Sequence, residues 1–210
     1  MVTRRARVPM TTTERFHPLP YCDQLQTRPL EAIDGVVIHC TELPDLATAR
    51  EYGERIHHPG SGTGNAGHYY IEADGRVHQW VPLDRVAHHV RGYNPHSIGV
   101  ELCNPGRFPD WFDSRRQVMT APYPNTQVNA LVALLQALCE ALPSLTWISG
   151  HEVLDTERVP ASDDPERQVY RKRDPGPQFP WSRVLAAVRL VWFDPAGAGP
   201  PNDPPNDPPG

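Results

Sequence analysis

The sequence predicts an α/β fold: a single domain on a mixed central β-sheet flanked by helices. Three observations carry this. Short β-branched or apolar runs recur, at Val36-Val37-Ile38, over 97–102 and over 145–148. Between the last two, Val128, Leu131, Val132, Leu135, Leu138, Cys139 and Leu142 repeat with helical spacing, and Pro143 stops the pattern. Asp74-Gly75 divides two β-prone runs, 68–71 and 76–81, so one hairpin is antiparallel and the sheet must be mixed.

The elements are expected in the following order. Residues 1–25 lack periodicity and form an extension that wraps the core or stays loose. Asp34-Gly35 is a turn, and the run after it is a buried strand ending at His39. Thr48 and Glu51 have capping-box spacing, which predicts a helix near 47–58. Gly60 to Asn65 is a flexible loop; it lacks the Gly-Lys-Ser/Thr ending of a phosphate-binding loop. The hairpin, the 97–102 strand and the long helix from Asn125 come next, and the 145–148 strand delivers His151. Residues 155–171 are polar, contain Pro160 and Pro165, and read as a long loop. Ser182 is expected to cap a last helix running through Val191, and the Pro-rich tail from about 193 to 210 to be disordered. The domain proper is thus placed at 26–192.

Composition excludes several functions. The 210 residues allow one sizeable core, and a net charge of -5 with a pI near 6.0 disfavours nucleic-acid binding. No apolar run is long enough to span a membrane. The basic start (Arg4, Arg5, Arg7) is not followed by an apolar segment, and the four cysteines show no paired spacing. Both points lead to the expectation of a cytoplasmic protein with reduced thiols, and of a monomer.

Three stretches carry candidate chemistry. Val36-Val37-Ile38-His39-Cys40-Thr41 and Ile148-Ser149-Gly150-His151-Glu152 each place a histidine at or just past a strand end. Arg171-Lys172-Arg173-Asp174-Pro175-Gly176-Pro177 adds a carboxylate in a basic turn. Two histidines and a carboxylate are one of the usual ligand sets of catalytic zinc, and sites in open sheets gather beyond the carboxyl ends of strands. Glu101 stands in an otherwise apolar strand, where a carboxylate is costly unless paired or functional.

Read together and in order, VVIHCT, SIGVEL, SGHE and KRDPGPQF resemble the zinc-dependent N-acetylmuramoyl-L-alanine amidases (the amidase_2 family), over roughly Ile33 to Val188. The family also contains the T7-type lysozymes and is similar to the peptidoglycan recognition proteins. The resemblance implies that His39, His151 and Asp174 hold Zn2+, that Glu101 activates water, and that Lys172 stabilises the oxyanion. Glu101, with Gly67 ahead of His68 where T7-type relatives carry tyrosine, puts the chain nearest the anhydromuropeptide amidases of cell-wall recycling.

The stretch 87–94 resembles a segment that lines the substrate cleft, which implies substrate contacts for His89 and Asn94. His88 stands there where tryptophan is common. Cys40 is expected to face the core, away from His39, and Cys103 to border the pocket. The implied reaction is hydrolysis of the amide between N-acetylmuramic acid, in its 1,6-anhydro form, and L-alanine of the stem peptide. The alternatives are a lytic amidase acting on polymeric wall and a non-catalytic muropeptide-binding module.

Overall fold

The computed structural model describes residues 14–204. The elements are β1 (Glu14–Phe16), β2 (Gly35–Cys40), α1 (Leu46–Glu54), β3 (Tyr69–Ile71), β4 (Val77–Gln79), β5 (Ser97–Leu102) and α2 (Asn125–Ala141), followed by β6 (Trp147–Gly150), α3 (His151–Leu154), β7 (Arg158–Pro160), β8 (Gln168–Tyr170), α4 (Trp181–Ala187) and β9 (Val191–Trp192). Seven strands form one sheet in the order β1-β4-β3-β5-β2-β6-β9, and β7 and β8 form a separate hairpin. Only β3 and β4 pair antiparallel within the large sheet, so it is mixed as the Asp-Gly turn requires. At that turn Gly75 takes φ +89, and a Cβ there would come 2.9 Å from the Thr126 carbonyl. Glycine is needed both for the backbone sign and for the close approach to α2.

Alternation along the central strands sets up two layers. Val36, Ile38 and Cys40 of β2, with Ile98, Val100 and Leu102 of β5, join the core beneath α2. The α2 side supplies Val128, Leu131, Leu134, Leu135 and Leu138, all buried. A second cluster, including Leu19, Tyr21, Leu25, Ala49, Tyr70 and Trp80, packs α1. Tyr70 sits there, opposite its core-facing neighbours Tyr69 and Ile71.

Several expectations are corrected. Helix α1 starts one residue after Asp45, whose side chain accepts from Thr48 N at 2.7 Å. Asp45 therefore takes the cap the sequence suggested for Thr48, and the helix stops at Glu54, ahead of the extended Arg55. The polar 155–171 stretch folds back as the β7–β8 hairpin; only Val169 of its strand residues is buried, so it carries no apolar alternation. Helix α4 ends at Ala187 rather than Val191. Val191 N donates to Thr146 O and Phe193 N to Ile148 O, so the edge of β6 captures this segment as a strand.

Ser182 is not a cap: its backbone N donates to Asp203 at 2.8 Å. In the described part of the tail Asp203 lies against α4, while residues 205–210 lie outside the described residues. At the other end, β1 pairs with β4, and Leu19, Tyr21, Cys22 and Leu25 are buried; residues 1–13 lie outside the description.

Candidate metal centre and catalytic cleft

Parallel register assembles the site. β2 is aligned with β5 so that His39 pairs with Glu101, and with β6 so that Ile38 pairs with Gly150. His151, the next residue, therefore emerges level with His39. Because their neighbours face α2, His39 and Glu101 point to the opposite layer. Asp174 arrives from the segment after β8. Its carbonyl accepts from Glu152 N at 2.9 Å, and the Tyr123 hydroxyl donates to Pro175 O at 2.6 Å.

Three donor atoms converge. His39 Nδ1 lies 2.9 Å from His151 Nδ1, and each lies 3.0 Å from Asp174 Oδ2. All three residues are buried. A tetrahedral ion with bonds of about 2.0–2.1 Å separates its ligand atoms by about 3.3 Å, close to this triangle. Burial, opposed by Asp174, lowers the His151 pKa and keeps the imidazole neutral. For Asp174, burial pushes upward, but the two histidines and Lys172 outweigh it and hold the carboxylate well below its ordinary range. Two imidazoles and one carboxylate, their donor atoms turned to one point, fit a divalent cation.

The other ring contacts define the His39 tautomer. His39 Nε2 lies 3.0 Å from His89 Nδ1, His89 Nε2 lies 3.3 Å from Ser97 Oγ, and Ser97 Oγ donates to Tyr93 O at 2.8 Å. One proton assignment satisfies the chain: His39 Nε2–H donates to His89, and His89 Nε2–H donates to Ser97. That leaves His39 Nδ1 as a lone pair facing the triangle. Outer partners of this kind orient metal-ligating histidines. Burial, reinforced by His39, holds His89 well below the usual histidine pKa, so it stays neutral in this role.

Glu101 and Lys172 line the same cleft as the three donors, a cavity of about 250 Å³. The Glu101 side chain is 14% exposed, with Oε1 4.0 Å from His39 Nδ1. Among the described residues it pairs with no arginine. Burial raises its pKa above the ordinary value, partly offset by His39 and Lys172. Two glycines make room here. A Cβ at Gly67 would come 2.9 Å from Glu101 Cγ, and one at Gly99 would come 2.6 Å from the His89 ring.

Asn94 is placed differently from His89. Its Oδ1 accepts from His89 N at 2.9 Å and Val90 N at 2.7 Å, holding the loop that presents His89. It also lines the adjoining part of the groove, with His58, Asn65, His88, Arg91 and Arg171. The His88 ring packs against that of His58, tilted by 40° with centroids 4.5 Å apart. Cys40 joins the core cluster as expected and also borders the cleft, whereas Cys103 lies past the end of β5 and does not line it.

The sequence reading missed Glu152, whose pKa burial and the Asp174 charge push up to about 7, and Tyr123, the anchor of the Asp174 turn. Glu152 was visible only as the acid beside His151. No local pattern marks Tyr123.

A mixed sheet that brings two imidazoles and a carboxylate to one point, with a second carboxylate and a lysine over the same cleft, has the layout of a metal-dependent hydrolase. The chain belongs to the N-acetylmuramoyl-L-alanine amidase family (Amidase_2), whose model matches residues 29–177. It is similar to the 1,6-anhydro-N-acetylmuramyl-L-alanine amidase AmpD of Enterobacter cloacae, 34% identical over 127 residues that make up 56% of this chain and 54% of the relative. It is also similar to the N-acetylmuramoyl-L-alanine amidase AmiD of Escherichia coli strain K12, 32% identical over 127 residues, 57% of this chain and 40% of the relative. The crystal structure of a selenomethionine AmpD derivative superposes with a TM-score of 0.60 at 26% identity, covering 85% of this chain and 96% of that one. The chain spans about half the length of the curated AmpD relatives it matches.

Proposed function

We propose that the protein is a zinc-dependent N-acetylmuramoyl-L-alanine amidase. Its substrate is a soluble muropeptide, and the bond cut joins the lactyl carbonyl of 1,6-anhydro-N-acetylmuramic acid to L-alanine. The observation that carries this is the His39–His151–Asp174 donor triangle with Glu101 and Lys172 facing it across one cleft. The similarity to AmpD supports the anhydro form.

His39, His151 and Asp174 would hold the zinc. Bound there, zinc supplies a Lewis acid and lowers the pKa of its water to about 7. Glu101, its pKa raised by burial, takes a proton from the attacking water and returns it to the departing amine of alanine. Lys172 donates to the carbonyl oxygen as negative charge builds there. His89 keeps the His39 lone pair aimed at the metal, and Asn94 holds the His89 loop. Both residues, expected as substrate contacts, also line the groove. The groove beyond them, with His58, His88 and Arg91, is left for sugar and peptide.

A cytoplasmic setting belongs to the same proposal. All four cysteines are free, which suits a reducing compartment. Among the described residues no helix is long and apolar enough to cross a membrane.

The test compares release of stem peptide from anhydromuropeptide and from intact sacculi by the zinc-loaded protein. Turnover of the soluble fragment with little action on sacculi is expected. Preferential solubilisation of sacculi would replace the recycling role with a lytic one. Binding without cleavage would make the protein a recognition module.

A further inference from the structure

We propose that the buried Glu42–Arg107 ion pair is a positioning device for the metal-ligand set. It fixes the spacing between the strand that carries His39 and the segment that carries Asp174. The inference rests on the reading of His39, His151 and Asp174 as ligands.

Glu42 and Arg107 are 6% and 3% exposed. The contact is bidentate: Arg107 Nε donates to Glu42 Oε1 at 2.6 Å and Nη2 to Oε2 at 2.8 Å. The guanidinium then reaches across to the other ligand-bearing segment. Nη1 donates to Tyr170 O at 2.9 Å, and Nη2 to Arg171 O at 3.3 Å. Trp111 O and Gln117 Oε1 accept the remaining reach of Nη1, at 3.0 and 3.1 Å. Glu42 follows His39 by three residues, and Arg171 precedes Asp174 by three. One planar group therefore ties the end of β2 to the backbone that leads into Lys172 and Asp174.

The local backbone is arranged around this contact. Glu42 is the one non-glycine residue at positive φ among those described, at +48. A side chain in that conformation is disfavoured and persists where surrounding contacts over-determine it. Trp111 Nε1 donates to Glu42 O at 3.0 Å, adding one such contact. Gly106, at φ +53, lets the chain pass: a Cβ there would come 2.7 Å from Glu42 Cγ.

Stability alone is a poor reason for such a pair, because apolar residues of similar volume often replace buried ion pairs without loss. An apolar pair could not hold the Tyr170 and Arg171 carbonyls, and lysine cannot reproduce the fork.

The experiment measures zinc affinity by chelator competition, together with kcat and KM on muropeptide, for wild type, Arg107→Lys and Glu42→Gln. Val184→Ala, a core substitution in α4 away from the cleft, is the stability control. Disturbing partners outside the ligand shell typically lowers metal affinity about 10- to 100-fold, and that loss is expected for both clamp variants. A fall in kcat larger than any rise in KM should accompany it. The control should lower Tm and leave zinc affinity unchanged. If Arg107→Lys does not fold, the near-isosteric Glu42→Gln carries the same measurement. Clamp variants that bind zinc as tightly as wild type would overturn the positioning role and leave the ligand assignment standing. A wild-type protein with no zinc affinity would instead overturn the ligand assignment, and the clamp's role with it.

Discussion

Replacing Glu101 by glutamine separates chemistry from architecture. The substitution keeps the shape that Gly67 accommodates, with Cγ 2.9 Å from where a Cβ would stand, and removes only the basic oxygen. Glu101 Oε1 is 4.0 Å from His39 Nδ1, outside hydrogen-bond range, so the metal ligands should not move. Losing a general base typically costs about 10² to 10⁴ in rate, which is about 3–5 kcal/mol of barrier. The assay is single-substrate turnover of anhydromuropeptide at matched zinc content, read as free peptide by mass spectrometry.

The pH profile adds a sign. A base must be ionised to work, and burial raises the Glu101 pKa. Activity of the wild type should therefore fall on acidification at a pH above the ordinary glutamate range. The glutamine variant should lack that component, although ionisation at the metal can share the same limb. A glutamine variant with near-wild-type kcat would show Glu101 to be structural.

Other outcomes follow from neighbouring groups. Lys172→Ala removes a donor to the developing oxyanion and should lower kcat by about 10² to 10³, with zinc content retained, checked by metal analysis beside steady-state kinetics. Gly67→Ala should push on the Glu101 side chain and lower kcat while leaving zinc content normal. Glu152→Gln should stabilise the zinc-free protein at pH 8 by at most about 3 kcal/mol, since its pKa rises from 4.5 to about 7. Here the folded state binds the proton more tightly than the unfolded one, so stability is lost as pH rises from 4.5 to 7. The advantage of the variant should vanish near pH 4, read by thermal melts. Leu135→Ala empties a fully buried site under α2 and should cost about 2–5 kcal/mol, measured by urea denaturation.

The parts of this molecule legible in the sequence are those governed by local rules. The 3.6-residue period from Val128 to Leu142, the Asp-Gly turn and the β-branched run ending at His39 each reflect one element's own burial. The three donors that converge, His39, His151 and Asp174, stood out in the sequence because each motif keeps its chemistry within a few residues. What stayed hidden depends on contacts distant in the chain. Arg107 and Glu42 are 65 residues apart. The β7–β8 hairpin exposes most of its side chains, so hydrophobic alternation cannot announce it. β9 forms because the edge of β6 offers a ladder, and Asp203 meets Ser182 of α4 from 21 residues further along the chain. The place of His89 in the 87–94 stretch likewise says nothing of His39, 50 residues away, against which its ring packs.

The most direct test of the account is to strip the metal with a chelator, restore it with zinc, and follow one muropeptide throughout. The zinc-loaded protein should release a stem peptide with a new amino-terminal L-alanine. The stripped protein should release none, and one equivalent of zinc should restore the rate. Persistent cleavage after complete metal removal, or no cleavage by protein holding one zinc at His39, His151 and Asp174, would contradict the account.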